Sequence, residues 1–305
     1  MKLSLRGMMM GAGRERNQMM CALEDCPDTL LMRMVTQGNT GISVGQDWYC
    51  SAGCFAEAAF NRFAAISAGR VVEMPHSPRL TIGLAMLSKG YLNEEQLRMA
   101  TAQSRMRGEE LESVLLQLGL ANERQLTVAR AAQWGVPVLG KDLVVHPVET
   151  DIPVSLLRAY SAAPLHYSAA SNRLILGFAY RVEHSFLVSL EAITGCRAEP
   201  CCITPTEFAE QVSRLTKIPD YIEMNFEESL TPAQMANNLA GAAVEISARE
   251  ARFAYSQNLV WVRLAGKRRK ADVLFRGRIE SGLEKTGNSL VVEDRIGRRG
   301  VDRSA

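Results

Sequence analysis

"GYLNEEQL" at Gly90–Leu97 returns as "GLANERQL" at Gly119–Leu126, 29 positions further along the chain. With Gly90 laid on Gly119, Ile82 falls on Leu111, Met86 on Leu115, Leu87 on Leu116, Leu97 on Leu126 and Ala100 on Ala129. Before each glycine the apolar residues stand at i, i+4 and i+5, which is one face of a short helix. Each glycine predicts a left-handed helix stop, a conformation that strains any residue with a Cβ. Three residues on, Asn93 and Asn122 predict N-caps, and Gln96 and Gln125 complete capping boxes. Each unit therefore reads helix, glycine stop, Asn-capped helix. Neither unit can bury its stripe alone, so the two are expected to pack together.

Working outward, composition divides the rest of the chain. Residues 1–20 are expected to be disordered, and 21–76 to form a cysteine-bearing, zinc-ribbon-like module. Residues 77–138 hold the tandem helical repeats and 139–217 a small α+β module. Within that module, Ala162–Ala169 and Asn172–Tyr180 predict strands joined by a Ser171-Asn172 turn. Glu183–Thr194 has helical spacing and stops at Gly195; "AEPCCIT" predicts a third strand. Thr204, Pro205 and Glu207 then spell a capped helix start. Short strands alternating with helices point to a sandwich with one open face. Residues 219–278 predict a helix opened by Thr231-Pro232, then a hairpin of "LVWVRLA" and "ADVLFRG" around the basic turn Lys267–Lys270. Residues 279–305, rich in Gly, Arg, Glu and Ser, are expected to be a disordered tail. The fold class is α+β: tandem helical repeats followed by a small α/β sandwich module, with an N-terminal zinc-ribbon-like segment.

Composition narrows the function. A 47% hydrophobic content supports a real core, and 35 basic against 33 acidic residues give no charge bias toward nucleic acid or membrane. No apolar run reaches the length of a spanning helix, so no membrane insertion is expected. The lone basic turn reads as solvated surface, so nucleic acid is not an expected partner. "MKLSLRGMMMGAGRERNQMM" makes a poor signal peptide, which leaves a cytoplasmic protein with reduced thiols as the expectation. Cys21 and Cys26, then Cys50 and Cys54, form two close pairs that suit a tetrahedral, structural zinc site. The competing reading is four ordinary thiols, since the spacing of the first pair is wider than zinc modules usually use. Cys196, Cys201 and Cys202 sit in apolar, strand-like contexts and read as core. No G-x-x-x-x-G-K-[ST] phosphate loop is present, and the four histidines form no H-E-x-x-H. Glu94 and Glu95 read as surface helix residues, so no enzyme is expected.

Taken in order, "LSKGYLNEEQL", "LLQLGLANERQLTVARAAQWGVPV", "PVSLLRAYSAAPLHYSAASNRLILGFA" and "LVSLEAITGCRAEPCCITPTEFAEQV" resemble the N-terminal domain of the ATPases that power type II secretion and type IV pilus assembly. The resemblance covers residues 77–217. Pro164-Leu165, Leu174–Ala179 and Leu190–Gly195 follow that family's progression. "AREARFAYSQNLVWVRLAG" has a fainter likeness to the next part of the motors. Some members of the domain family bind cyclic di-GMP through two copies of a motif that opens Arg-Leu-Gly and closes on Gln. The resemblance therefore implies nucleotide-site candidates at Arg79, Ile82, Gly83, Met86, Leu87, Gly90 and Leu97 in the first copy. In the second they are Leu111, Leu115, Leu116, Gly119, Leu126 and Gln133. Both motif arginines are missing: Thr81 and Glu110 stand in their places, and Glu112 replaces the second glycine. A phosphate wants a bidentate Arg, and a carboxylate nearby repels it. The resemblance thus implies a domain that kept its helical core and lost its ligand, acting as an adaptor or regulator on protein partners in secretion or pilus machinery. Its expected contacts are the grooves between repeats and the open face of the module. A cyclic di-GMP sensor with a degenerate motif is the alternative.

Overall fold

The computed structural model describes residues 20–26, 41–68, 80–140, 151–215, 220–256 and 259–276. The segments expected to be disordered, 1–20 and 279–305, lie outside these apart from Met20. In chain order the elements are β1 (Ile42–Val44), β2 (Asp47–Tyr49) and α1 (Ala52–Ser67), then α2 (Ile82–Ser88), α3 (Glu94–Arg107), α4 (Leu111–Gln117) and α5 (Glu123–Trp134). There follow α6 (Val154–Ala159), β3 (Ala162–Ser168), β4 (Arg173–Phe178), α7 (His184–Thr194), β5 (Arg197–Cys202) and α8 (Pro205–Ser213). The chain closes with β6 (Tyr221–Phe226), α9 (Pro232–Glu245), β7 (Glu250–Ser256), β8 (Leu259–Ala265) and β9 (Lys270–Arg276).

The repeats form as their spacing predicts. Gly90 and Gly119 sit in the left-handed region at φ 68° and 64°, just past α2 and α4. Asn93 and Asn122 cap α3 and α5, and each is answered by the Gln three residues on in a full capping box. Met86, Val114, Leu115, Ala100, Leu126 and Ala129 are buried in one core of their own. Gly83 is a close-packing position: a Cβ there would lie 2.9 Å from a methyl of Leu97 and 3.6 Å from one of Leu111.

Two sheets follow. In the three-stranded sheet, β3 pairs antiparallel with β4, and β4 pairs parallel with β5 from Arg173↔Arg197 to Phe178↔Cys202. The six-stranded sheet has the order β2-β1-β7-β8-β9-β6. Its centre is an antiparallel meander, while β1 joins β7 and β6 joins β9 in parallel. Side chains alternate across it as a pleated strand requires. Val260, Val262 and Leu264 face the core that holds α1 and α9, whereas Leu259 and Trp261 face the core that holds α7. Through Phe186, Leu190 and Ile193, α7 fills the space between the two sheets. The layers therefore run α8, three-stranded sheet, α7, six-stranded sheet, then α1 with α9.

Two expectations change. The three-stranded sheet has no open face: Leu174, Leu176 and Phe178 pack toward α7, and Ala163, Leu165 and Ile175 pack with Phe208 and Val212 of α8. A short sheet with two apolar faces must cover both. The segments 21–76 and 219–278 also share one sheet and one core rather than standing apart. A hairpin of two three-residue strands is too small to be stable alone, and it completes itself on the edge offered by β7.

Candidate functional site

The four cysteines of the N-terminal segment converge. Cys21 and Cys26 lie on an irregular loop, Cys50 directly follows β2, and Cys54 sits in the first turn of α1, whose N-cap is Ser51. Cys54 N–H donates to Ser51 Oγ at 3.2 Å, which fixes the turn. The Sγ separations are 3.5 Å for Cys26–Cys50, 3.6 Å for Cys50–Cys54 and 3.8 Å for Cys26–Cys54. All four ligand atoms lie within 4.8 Å of one another. A disulfide needs about 2.05 Å, so none of the four is disulfide-bonded. A tetrahedral ion holding sulfur at about 2.3 Å spaces its ligands about 3.8 Å apart, which these separations match. Four thiolates on a borderline-soft divalent ion are the donor set of a closed structural zinc site, with no position left for water. Burial pushes the Cys54 thiol above its ordinary value, the direction a bound cation would reverse. An open cleft along α1, lined by Leu23, Glu24, Tyr49, Cys54, Glu57 and Arg62, gives access from solvent.

The nucleotide-site candidates are placed differently. Met86, Leu115 and Leu126 are core residues, and Gly83 is buried beside Leu97 and Leu111. Ile82, Leu87, Leu97 and Leu111 pack against the same core. Gly90 and Gly119 form the turns, Gln133 is half-buried and Leu116 is exposed. Arg79 lies outside the described residues. Where the motif wants arginines, Thr81 caps α2 by accepting from Leu84 N–H, and Glu110 is the exposed residue before α4. Glu112 accepts from Nε and Nη2 of Arg130 on α5, a side chain only 5% exposed. Arg130 also donates through Nη1 to the carbonyl of Ala179 at 2.7 Å and lies over the ring of Tyr180. The acid thus belongs to an ion pair that ties the second repeat to the α+β module. The sequence held a signal for this: relative to the first repeat, Gly83 becomes Glu112 and Thr101 becomes Arg130.

Two stretches match catalytic patterns by letter and fail by context. Gly41-Ile-Ser-Val-Gly45 has the form G-x-S-x-G. Its Ser43 lies in β1, paired with Trp48 and Glu250, in a strand–turn–strand rather than the strand–turn–helix of a nucleophile elbow. Gly135–Lys141 has the glycine and lysine spacing of a phosphate loop, but Asp142 stands where Ser or Thr is required. Gly135 ends α5, and Leu139 N–H donates to Cys202 O while Cys202 N–H donates to Pro137 O. Residues Pro137 to Leu139 are docked beside β5, and Lys141 lies outside the described residues.

No family model matches the chain. A stretch of 129 residues, 42% of the chain, is 26% identical to the type IV pilus assembly ATPase PilB of Thermus thermophilus. Over that stretch the chain is similar to a pilus assembly ATPase. The resemblance to secretion and pilus ATPases carried by the repeats and the module is borne out. The matched stretch spans 14% of that relative's length. Among solved structures, MshE with cdg aligns at a TM-score of 0.39 and 20% identity, covering 45% of this chain and 100% of that one. The N-terminal domain of XpsE aligns at 0.36 and 21%, covering 48% and 100%.

Proposed function

We propose that this protein is a non-catalytic, cytoplasmic adaptor or regulator acting by protein–protein contact around a type II secretion or type IV pilus apparatus, with a structural zinc at Cys21, Cys26, Cys50 and Cys54. The observation that carries it is the Glu112–Arg130 pair. Where a phosphate would need a free guanidinium and an approachable backbone, the second repeat has a carboxylate already engaged with its own arginine. Similarity to a pilus assembly ATPase supplies the setting. Among the described residues no helix is long and apolar enough to cross a membrane, which is consistent with a role in the cytoplasm. Both faces of the three-stranded sheet are covered, so the docking surface moves to the repeats, where Leu84 and Leu116 are 52% and 41% exposed.

The test has two arms on the full chain. Calorimetric titration with cyclic di-GMP is expected to give no heat at micromolar ligand; a saturable isotherm would replace the adaptor reading with the sensor. Mixing with purified cytoplasmic components of the secretion or pilus apparatus is expected to give a complex that Leu84→Glu or Leu116→Glu weakens. If no component forms a complex with the chain, the adaptor reading ends.

A further inference from the structure

The four thiols sit at one end of a domain built from both ends of the chain. Immediately after Cys54, Phe55 enters the core shared with the C-terminal strands, and Phe63 follows two turns on. The Phe63 ring lies 5.5 Å from that of Phe275 and 6.0 Å from that of Phe253. On the strand side, β1 adds to β7 through Ser43↔Glu250 and Val44↔Ala251, and Ser43 N–H donates to Arg249 O. α9 packs chiefly on α1 and only lightly on β9. α1 and α9 share one core with Val260, Val262, Val273 and Phe275, so loss of α1 removes part of the cover of that face.

The loop that carries Cys21 and Cys26 is held more lightly than α1, whose Phe55 and Phe63 are buried in the shared core. The two strands have three residues each, and the Cys21–Cys26 loop has neither helix nor strand. One backbone bond, Ala22 N–H to Trp48 O at 2.8 Å, ties that loop to β2. An ion bonded to all four sulfurs would cross-link the loop, the end of β2 and the first turn of α1 in one step. Metal that binds only the folded arrangement adds its binding free energy to that arrangement.

We infer that metal occupancy of the four-cysteine centre controls the folding of the C-terminal strands, more than 150 residues away in sequence. The metal staples the two ends of the chain into one domain, and its loss opens the six-stranded sheet on its α1 and α9 side. The helical repeats, which have a separate core, stay folded. This inference rests on the metal reading above.

The experiment uses the full chain with zinc, the same chain stripped by a chelator, and the stripped chain reloaded. Metal is counted by elemental analysis, and amide hydrogen exchange is followed by peptide. Stripping is expected to speed exchange at least about tenfold in α1 and in β7–β9, with α3 and α5 unchanged and reloading restoring protection. Cys21→Ser, a change in the loop rather than in α1, is expected to show the same pattern at zinc concentrations that still protect the parent chain. If zinc is present and removable but only residues 20–26 and 50–54 respond, the centre is a local staple and the inference fails while the metal reading stands. If the chain takes up no zinc, the metal reading fails and the inference falls with it.

Discussion

Deleting the Glu112 carboxylate should cost more than deleting its partner. In Glu112→Ala the Arg130 guanidinium stays buried beside the Ala179 carbonyl and the Tyr180 ring. Removing one partner of a buried pair typically costs about 3–5 kcal/mol. Glu112 is 27% exposed and one hydrogen bond to Arg130 survives, so the lower end applies, about 3 kcal/mol. In Arg130→Met the side chain refills its apolar slot, and Glu112 can turn to water, so the loss is about 1 kcal/mol. The double variant should cost little more than Arg130→Met, giving a coupling of about 3 kcal/mol. The assay is hydrogen exchange of the α4 and α5 amides, which reads the local opening free energy. Inorganic phosphate should recover part of the loss in Glu112→Ala and do nothing for the parent, because only the variant has a stranded cation. Equal costs for the two single variants, with no coupling, would refute the ion pair as the joint between repeat and module.

Other expectations are briefer. Burial alone would raise the Asp151 pKa, but Arg263 and Lys270 together overcome this and hold it below its ordinary value. Its contribution is therefore complete above the unfolded carboxylate value of about 3.9 and is lost as pH falls through the lowered folded value. Asp151→Asn should flatten the acid limb of a stability–pH curve and leave a smaller change near neutrality than Asp272→Asn. Burial pushes Cys201 up to about 12 and Cys202 to about 11; both should resist iodoacetamide in the folded chain at mildly alkaline pH and react in denaturant, as read by mass spectrometry. Asn122→Ala removes a cap that bonds Gln125 N–H at 2.9 Å and should cost about 1 kcal/mol in thermal or urea unfolding.

What the sequence revealed is what is written locally. The glycine stops, the two Asn–Gln capping boxes and the Thr204-Pro205-Glu207 start each need only four neighbouring residues, and each formed. The clustering of four cysteines was also legible, because two close pairs need only one chain reversal to meet. The six-stranded sheet was not, since β1 finds β7 across most of the chain and no local pattern records that pairing. The hairpin was read, yet its polar core was not. Arg263 and Asp272 are cross-strand partners, and Asp272, fully buried, accepts from Arg263, from Trp261 Nε1 at 2.7 Å and from Tyr221 Oη at 2.6 Å. Two opposite charges placed symmetrically about the turn, within otherwise apolar strands, were the available sign. Their burial follows from the second layer that α7 and the Asp151 segment supply.

The two repeats share their turns and differ where they meet their surroundings. In the first, Gly83 lets α2 close onto Leu97 and Leu111, so that position serves the contact between repeats. In the second, the equivalent Glu112 cannot pack that way; it turns to Arg130, and through Arg130 the repeat reaches Ala179 of the module. A carboxylate at this point does two things at once. It denies a phosphate the close backbone approach and the free guanidinium it would need, and it supplies the counter-ion without which Arg130 could not stay buried at the joint. In the proposed adaptor, departure from the nucleotide motif and attachment of the repeat to the module are one change read from two sides. Restoring glycine at 112 alone should therefore weaken the joint, because Arg130 would be left against Ala179 and Tyr180 without its counter-ion.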